Sequence, residues 1–221
     1  MSDKAKTALD LGNLKAGGFI KERAKDLFTV RLRVPGLYNV YNALAASALA
    51  RALGATLDEL QAGLDRFSPA FGRFERIAIG DRRVLMLLIK NPAGANEAVR
   101  TLVVGGAPTF AVIALNDAIA DGKDVSWIWD VDFEPVLEHA GQVVATGERA
   151  AELGLRLAYG DLSEDRLEVE PSLERALDRG LELIDAGSEL VILPTYTAML
   201  ALREILTARG LVRPYWEGER R

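Results

Sequence analysis

From Arg76 to Arg209, short apolar runs alternate with longer amphipathic segments, and this alternation constrains the fold more than any other feature of the chain. Strands are predicted at Arg76–Ile79, Val84–Ile89, Phe110–Leu115, Gln142–Ala145 and Glu189–Leu193, with a weaker one at Arg166–Val169. Helices fit Pro92–Val104, Asp132–His139, Glu148–Leu157, Ser172–Ala186 and Thr197–Arg209. Alternating strands and helices of these lengths imply right-handed crossovers. The fold expected is α/β: a Rossmann-like, mostly parallel, doubly wound sheet flanked by helices.

The chain before this series reads differently. Residues 1–28 carry no convincing period and are either a loose lead-in or the severed end of something larger. Leu27–Val34 alternates as a half-buried strand does and stops at Pro35-Gly36, yet it has no obvious sheet partner. Asn39–Leu53 reads as an Ala-rich helix closed by Gly54, and Thr56-Leu-Asp-Glu59 has the spacing of a capping box opening a second helix to about Phe67. Ser68-Pro69 breaks that helix. Two domains are therefore expected, 1–70 and 71–221.

Several function classes fall away on composition. With no cysteine, the chain can supply no disulfide, Cys-bound zinc or thiol nucleophile. A formal charge of −5 without a basic cluster argues against nucleic acid as a partner. No stretch approaches the ~18 uninterrupted apolar residues of a transmembrane segment, and the N-terminus lacks the apolar core of a signal peptide, so a cytoplasmic location is expected. The one histidine, His139, ends a predicted helix, where the dipole favours its charged form, and a catalytic role is disfavoured.

Candidate chemistry concentrates in Asn116–Glu134, which follows the carboxyl end of the buried strand Phe110–Leu115, the end at which open α/β sheets bind ligands. Asp117, Asp121, Asp124, Asp130, Asp132 and Glu134 face Lys123 alone among basic residues there, interleaved with Trp127 and Trp129. The alternative is an acidic, solvated turn with Asp132 as a helix N-cap. Clustered acids alone are weak evidence for Mg²⁺, and no metal ligand is assigned. Upstream, Asn39 and Asn42 lie three apart at a helix start, where free N–H groups favour anions and an amide can read adenine; simple capping by Asn39 is the competing reading. Arg73 stands at the domain boundary, where a guanidinium fork suits a phosphate. Lys90-Asn91-Pro92 opens a helix, as an anion site or as an ordinary cap with proline at N1. No GxxxxGK[ST] loop is present to hold ATP phosphates.

Taken together, GLYNVYNALAA (36–46), GRFE (72–75), KNPAGAN (90–96), LNDAIADGKDVSWIWDVDFE (115–134) and ATGERA (145–150) resemble the Mur ligases. More narrowly they resemble the MurT-type subunits of lipid II isoglutaminyl synthase, over about residues 28–209 and in the same order. Pro194-Thr-Tyr-Thr197 resembles the family near its C-terminus. The resemblance implies a Mur ligase C-terminal domain over 71–221, preceded by a remnant of the central domain over 1–70. It further implies a GatD-like glutamine amidotransferase as partner, lipid II as substrate, and ATP with Mg²⁺ as cofactors of the complete enzyme. That enzyme would be a glutamine-hydrolysing amide ligase, with ammonia converting the D-glutamate α-carboxyl of the stem peptide to an amide. Asp124 begins the D-x-S-W segment and would complete the partner's glutaminase triad. Asn39, Asn42 and Arg73 would contact nucleotide.

The sequence departs from the family in two ways. The P-loop, the magnesium and carbamylated-lysine region and the cysteine-rich zinc insertion would lie upstream of residue 1, so the isolated chain is expected to be inactive and to bind no cofactor tightly. Where many Mur ligases carry an aspartate before the helix of the 90–96 motif, Leu87 stands here. The alternatives are the C-terminal domain of another Mur-type amide ligase, such as a folylpolyglutamate or cyanophycin synthetase, and a non-catalytic module binding an amidotransferase or nucleotide.

Overall fold

The structure, a computed structural model, describes residues 9–10, 15–16, 32, 34, 36–67, 73–106 and 108–213. The chain divides into two compact units, Met1–Pro69 and Ala70–Arg221.

In the first unit, β1 (Leu9–Asp10) and β2 (Lys15–Ala16) form a short antiparallel ladder. The strand expected over 27–34 lies largely outside the described residues; Leu32 and Val34, which are described, are buried. Helix α1 (Leu37–Ala52) starts two residues before its expected position, with Gly36 rather than Asn39 at its N-cap. It ends as its Gly54 requires: at φ 98°, Gly54 donates to Arg51 O at 3.0 Å and Ala55 to Ala50 O at 3.0 Å, so two terminal carbonyls are satisfied. Helix α2 (Leu57–Arg66) opens with the expected capping box, in which Glu59 N–H donates to Thr56 Oγ1 at 3.2 Å and Thr56 N–H to Glu59 Oε2 at 2.8 Å. Leu32 and Val40 form a small core with Ala43, Leu44 and Leu64.

The second unit is built on a six-stranded sheet in the order β3-β4-β8-β5-β6-β7. Its strands are β3 (Arg73–Ile79), β4 (Arg82–Leu87), β5 (Phe110–Ala114), β6 (Gln142–Thr146), β7 (Leu167–Val169) and β8 (Glu189–Pro194). Only the β3–β4 hairpin is antiparallel; every other pairing is parallel. The helices are α3 (Pro92–Val104), α4 (Glu134–Leu137), α5 (Ala150–Tyr159), α6 (Leu173–Leu183) and α7 (Tyr196–Ala208). Val84 and Met86 of β4, Leu190 and Ile192 of β8, Val112 of β5 and Val144 of β6 pack with Leu177 of α6 and with Met199, Leu202 and Leu206 of α7. The intervening residues Leu85, Leu87, Ile113, Val143, Val191 and Leu193 are buried as well. The sheet is therefore covered on both faces, which is why its strands read as continuous apolar runs. Each such side chain contributes roughly 1.5–3 kcal/mol over leaving it in water.

This order matters for function because β8, last in sequence, inserts between β4 and β5. The chain runs outward through β5, β6 and β7 and then returns, so the reversal falls between β5 and β8, and the carboxyl ends of strands at such a reversal are where open α/β sheets form their ligand crevices. The loop after β5 is the acidic stretch.

Candidate functional site

The carboxyl ends of three strands are tied together by one buried side chain, Asn116. Its main-chain N–H donates to Thr195 Oγ1 at 2.9 Å, its Nδ2 to Thr197 Oγ1 at 3.1 Å, and its Oδ1 accepts the N–H of Glu148 at 3.0 Å. The ends of β5, β6 and β8 are thus fixed relative to one another. Gly147 makes this approach possible: its φ is 99°, and a Cβ there would stand 2.6 Å from both Asn116 Oδ1 and Leu115 O. The ATGER segment closes the turn as Arg149 N–H donates to Leu115 O at 2.9 Å.

The six acidic side chains of the stretch then separate by role. Asp117 is paired with Arg149 at 3.6 Å and Lys123 at 3.9 Å. Asp121 accepts the N–H of Thr197 at 2.9 Å and the Thr197 hydroxyl, so a carboxylate from the loop caps the first turn of α7. Thr195, which would otherwise cap that helix, has its hydroxyl on Asn116 instead. Glu134 is paired with Arg156 at 2.7 Å. Asp130 and Asp132 are exposed.

Asp124 is different because it is exposed and yet held. Its Oδ1 accepts the main-chain N–H of Ser126 at 2.9 Å, an Asx turn that starts the 3-10 turn Ser126–Asp130. Hydrogen bonds from the Ser126 side chain and then from its N–H hold the Asp124 carboxyl below the 3.8 of a free aspartate. It is an ionised carboxylate fixed at the surface of the crevice loop.

The 3-10 turn itself is clamped from below. Arg156, buried in α5, donates from Nε to Ile128 O at 3.2 Å and from Nη2 to Val131 O at 2.6 Å. Its guanidinium lies 5.8 Å from the ring of Trp129 and 5.6 Å from that of Phe133. Half-buried Asn96 of α3 donates to Asp130 O at 3.3 Å and accepts Asp132 N–H at 2.8 Å. The expected helix Asp132–His139 is corrected here: α4 begins only at Glu134, with Phe133 and not Asp132 at its N-cap, while Asp132 N–H is held by Asn96. Trp129 remains 49% exposed and meets Tyr159 edge to face at 5.6 Å.

The nucleotide candidates occupy other elements. Asn39 and Asn42 lie on α1, half-buried and exposed respectively, with Gly36 capping the helix without a side chain and no acidic residue in its first turn. Arg73 is the first residue of β3, directly before a bulge where Phe74 has φ 59° and is buried. Asn39 and Asn42 belong to the first unit and Arg73 to the second. Asn91 caps α3 by accepting Gly94 N–H at 2.8 Å, with Pro92 at N1. His139 is exposed, its Nδ1 3.0 Å from Pro135 O. Among the described residues no three His, Asp or Glu side chains converge as a metal site.

Two features of the site have little or no signal in the sequence. Arg156 sits at a core position of α5 beside Leu153 and Leu157, and a charge within that apolar period was its only signal. The Asn116–Thr195–Thr197 linkage joins residues some eighty positions apart in sequence, and nothing local marks it.

Solved structures place the molecule in a class. It aligns with UDP-N-acetylmuramate-alanine ligase MurC of Thermotoga maritima at TM-score 0.61 and 20% identity, over 88% of this chain and 43% of that one. With folylpolyglutamate synthase of Mycobacterium tuberculosis complexed with ADP the TM-score is 0.63 at 24% identity, over 91% of this chain and 46% of that one. At such identities what is shared is the fold, so the chain has the α/β fold of the C-terminal region of Mur-type ligases. The description "MurT ligase C-terminal" matches residues 88–199, and the chain belongs to that family.

The chain is 40% identical over 183 residues to the subunit MurT of lipid II isoglutaminyl synthase (glutamine-hydrolyzing) from Streptococcus pneumoniae, and 32% identical over 176 residues to that from Staphylococcus aureus. These alignments cover 82% and 79% of this chain but only 40% and 39% of the relatives. No described helix is long and apolar enough to cross a membrane.

Proposed function

We propose that the chain is the C-terminal portion of a MurT-type subunit and that, in the complete enzyme, it serves a glutamine-hydrolysing, ATP-dependent amide ligase. A GatD-like glutamine amidotransferase brings the cysteine and histidine and releases ammonia, and the D-glutamate α-carboxyl of lipid II receives it. Residues 1–70 correspond on this reading to a remnant of the central domain and 71–221 to the C-terminal domain. The complex works on the cytoplasmic side of the membrane.

One observation carries the reading: of the six carboxylates in the crevice loop, Asp124 is both exposed and anchored through its own turn. Asp117, Asp121 and Glu134 bind this chain's own Arg149, Thr197 and Arg156. Asp124 therefore has the charge, rigidity and access needed to accept a hydrogen bond from the partner's histidine. A carboxylate in that role fixes the tautomer and stabilises the imidazolium, and it can stand on a different chain from the nucleophile. Asp124→Asn is expected to lower glutamine hydrolysis by the assembled complex by about 10³-fold or more, with assembly unchanged. Wild-type hydrolysis in an intact Asp124→Asn complex contradicts the assignment.

ATP, when bound, activates the carboxyl that ammonia attacks. Asn39 and Asn42 of the first unit and, separately, Arg73 of the second are the residues of this chain proposed to contact it, and the first turn of α1 carries no acidic side chain to repel an anionic ligand. Among the described residues Mg²⁺ has no matching set of ligands, and most carboxylates of the acidic loop are engaged by Arg149, Thr197, Arg156 and Ser126. Arg73→Ala in a complete enzyme is expected to raise the KM for ATP about tenfold while leaving partner binding intact, since a lost charge-assisted phosphate contact is worth roughly 1.5–3 kcal/mol. An unchanged KM removes Arg73 from the site.

A further inference from the structure

Arg156 touches neither Asp124 nor the crevice surface, yet it holds the far end of the turn on which Asp124 stands. It is 6% exposed, and a leucine would suit its place between Leu153 and Leu157 better than a cation. Burying a guanidinium there is unfavourable unless its donors are matched, and they are matched to the end of the turn: Ile128 O at 3.2 Å, Val131 O at 2.6 Å and Glu134 Oε1 at 2.7 Å. Ile128 O also accepts Val131 N–H at 3.4 Å and Val131 O accepts Phe133 N–H at 3.0 Å, so Arg156 gives two carbonyls at the end of the turn a second, charged donor. Asn96 grips the same end from α3 through Asp130 O and Asp132 N–H. At the other end, Ser126 N–H holds Asp124 Oδ1. The five residues Ser126–Asp130 thus form a short strut, fixed at its C-terminal end by Arg156 and Asn96 and carrying the carboxylate at its N-terminal end.

We propose that Arg156 is a positioning residue for glutamine hydrolysis in the assembled enzyme, acting through the Ser126–Asp130 turn on the orientation of Asp124; the proposal rests on the role given to Asp124 above. A shift of about 1 Å in an orienting group lowers turnover by up to about 100-fold, so the strut's rigidity has catalytic consequence.

The test combines kinetics of the complex with hydrogen exchange on the chain. Arg156→Met keeps length and apolar bulk and loses the donors; Arg156→Lys keeps the charge and loses the fork. For Arg156→Met the expected results are a fall in kcat for glutamine hydrolysis of about tenfold or more, an unchanged KM for glutamine and affinity for the amidotransferase, and faster exchange of the Ser126 amide. Arg156→Lys should restore part of the rate. In an Asp124→Asn background Arg156→Met should cost nothing further, because both changes remove one function. If Arg156→Met does not fold, Asn96→Ala, at a half-buried position on the other side of the strut, should lower kcat and lose its effect in the Asp124→Asn background. An unchanged kcat in the folded variants overturns the proposal, and so does an equal fold-loss with Asp124 present or replaced. A wild-type rate for Asp124→Asn alone overturns the role of Asp124 itself, a separate result read from a separate variant.

Discussion

Asp124 keeps its charge because Ser126 supplies two donors, a side-chain hydrogen bond and the main-chain N–H, in that order of effect. Both favour the ionised form, so the folded pKa lies below that of the unfolded chain. The associated stabilisation is fully present above the free-aspartate value of 3.8 and is lost as pH falls through the lower folded value. At neutral pH the carboxylate is charged in every molecule. Ser126→Ala deletes the larger contribution and keeps the N–H. The Asp124 titration midpoint, followed by carbon NMR of its carboxyl, should move up toward 3.8, and a midpoint that does not move shows that the Ser126 hydroxyl has no part in holding it.

Between elements, the coupling of the crevice loop to α7 runs through Thr197, whose hydroxyl both accepts from Asn116 and donates to Asp121. Thr197→Val keeps the shape and the N–H bond to Asp121 but deletes two hydrogen bonds. The second unit should lose about 2 kcal/mol in denaturant unfolding, two net bonds at roughly 1 kcal/mol each. A loss below about 0.5 kcal/mol shows that the loop is held without them. At this scale the sequence was read well where signals were local. Pro92 at N1, the Thr56–Glu59 capping box and the positive-φ Gly54 each mark a helix end that the structure reproduces. It was read poorly where a distant side chain decides the conformation. Asp132 looks like an N-cap in sequence, but Asn96 and Arg156 hold the main chain just after the 3-10 turn Ser126–Asp130, Phe133 takes the N-cap position, and α4 shortens to Glu134–Leu137.

Over the whole molecule, the α/β class and the strands of the second unit were legible because a sheet covered on both faces requires apolar residues at consecutive positions, as in Phe110–Ala114. The strand order was not legible from periodicity alone, since nothing in Glu189–Pro194 says that it inserts between β4 and β5. That insertion brings Thr195 and Thr197 to the acidic loop, where they hold Asn116 and turn Asp121 from a loop acid into an anchor for α7. Asp124 stands out in the sequence only through the D-x-S-W resemblance, and its Asx turn is the geometry on which the role proposed for it rests.

The central claim is that Asp124 accepts a hydrogen bond from a histidine on another chain, and the most direct measurement observes that proton. In the complex with the GatD-like subunit, proton NMR of the catalytic histidine should show a far-downfield ring N–H resonance that neither subunit shows alone. The account predicts that Asp124→Asn abolishes this resonance while the complex stays assembled. A downfield ring N–H that persists unchanged in the Asp124→Asn complex contradicts it.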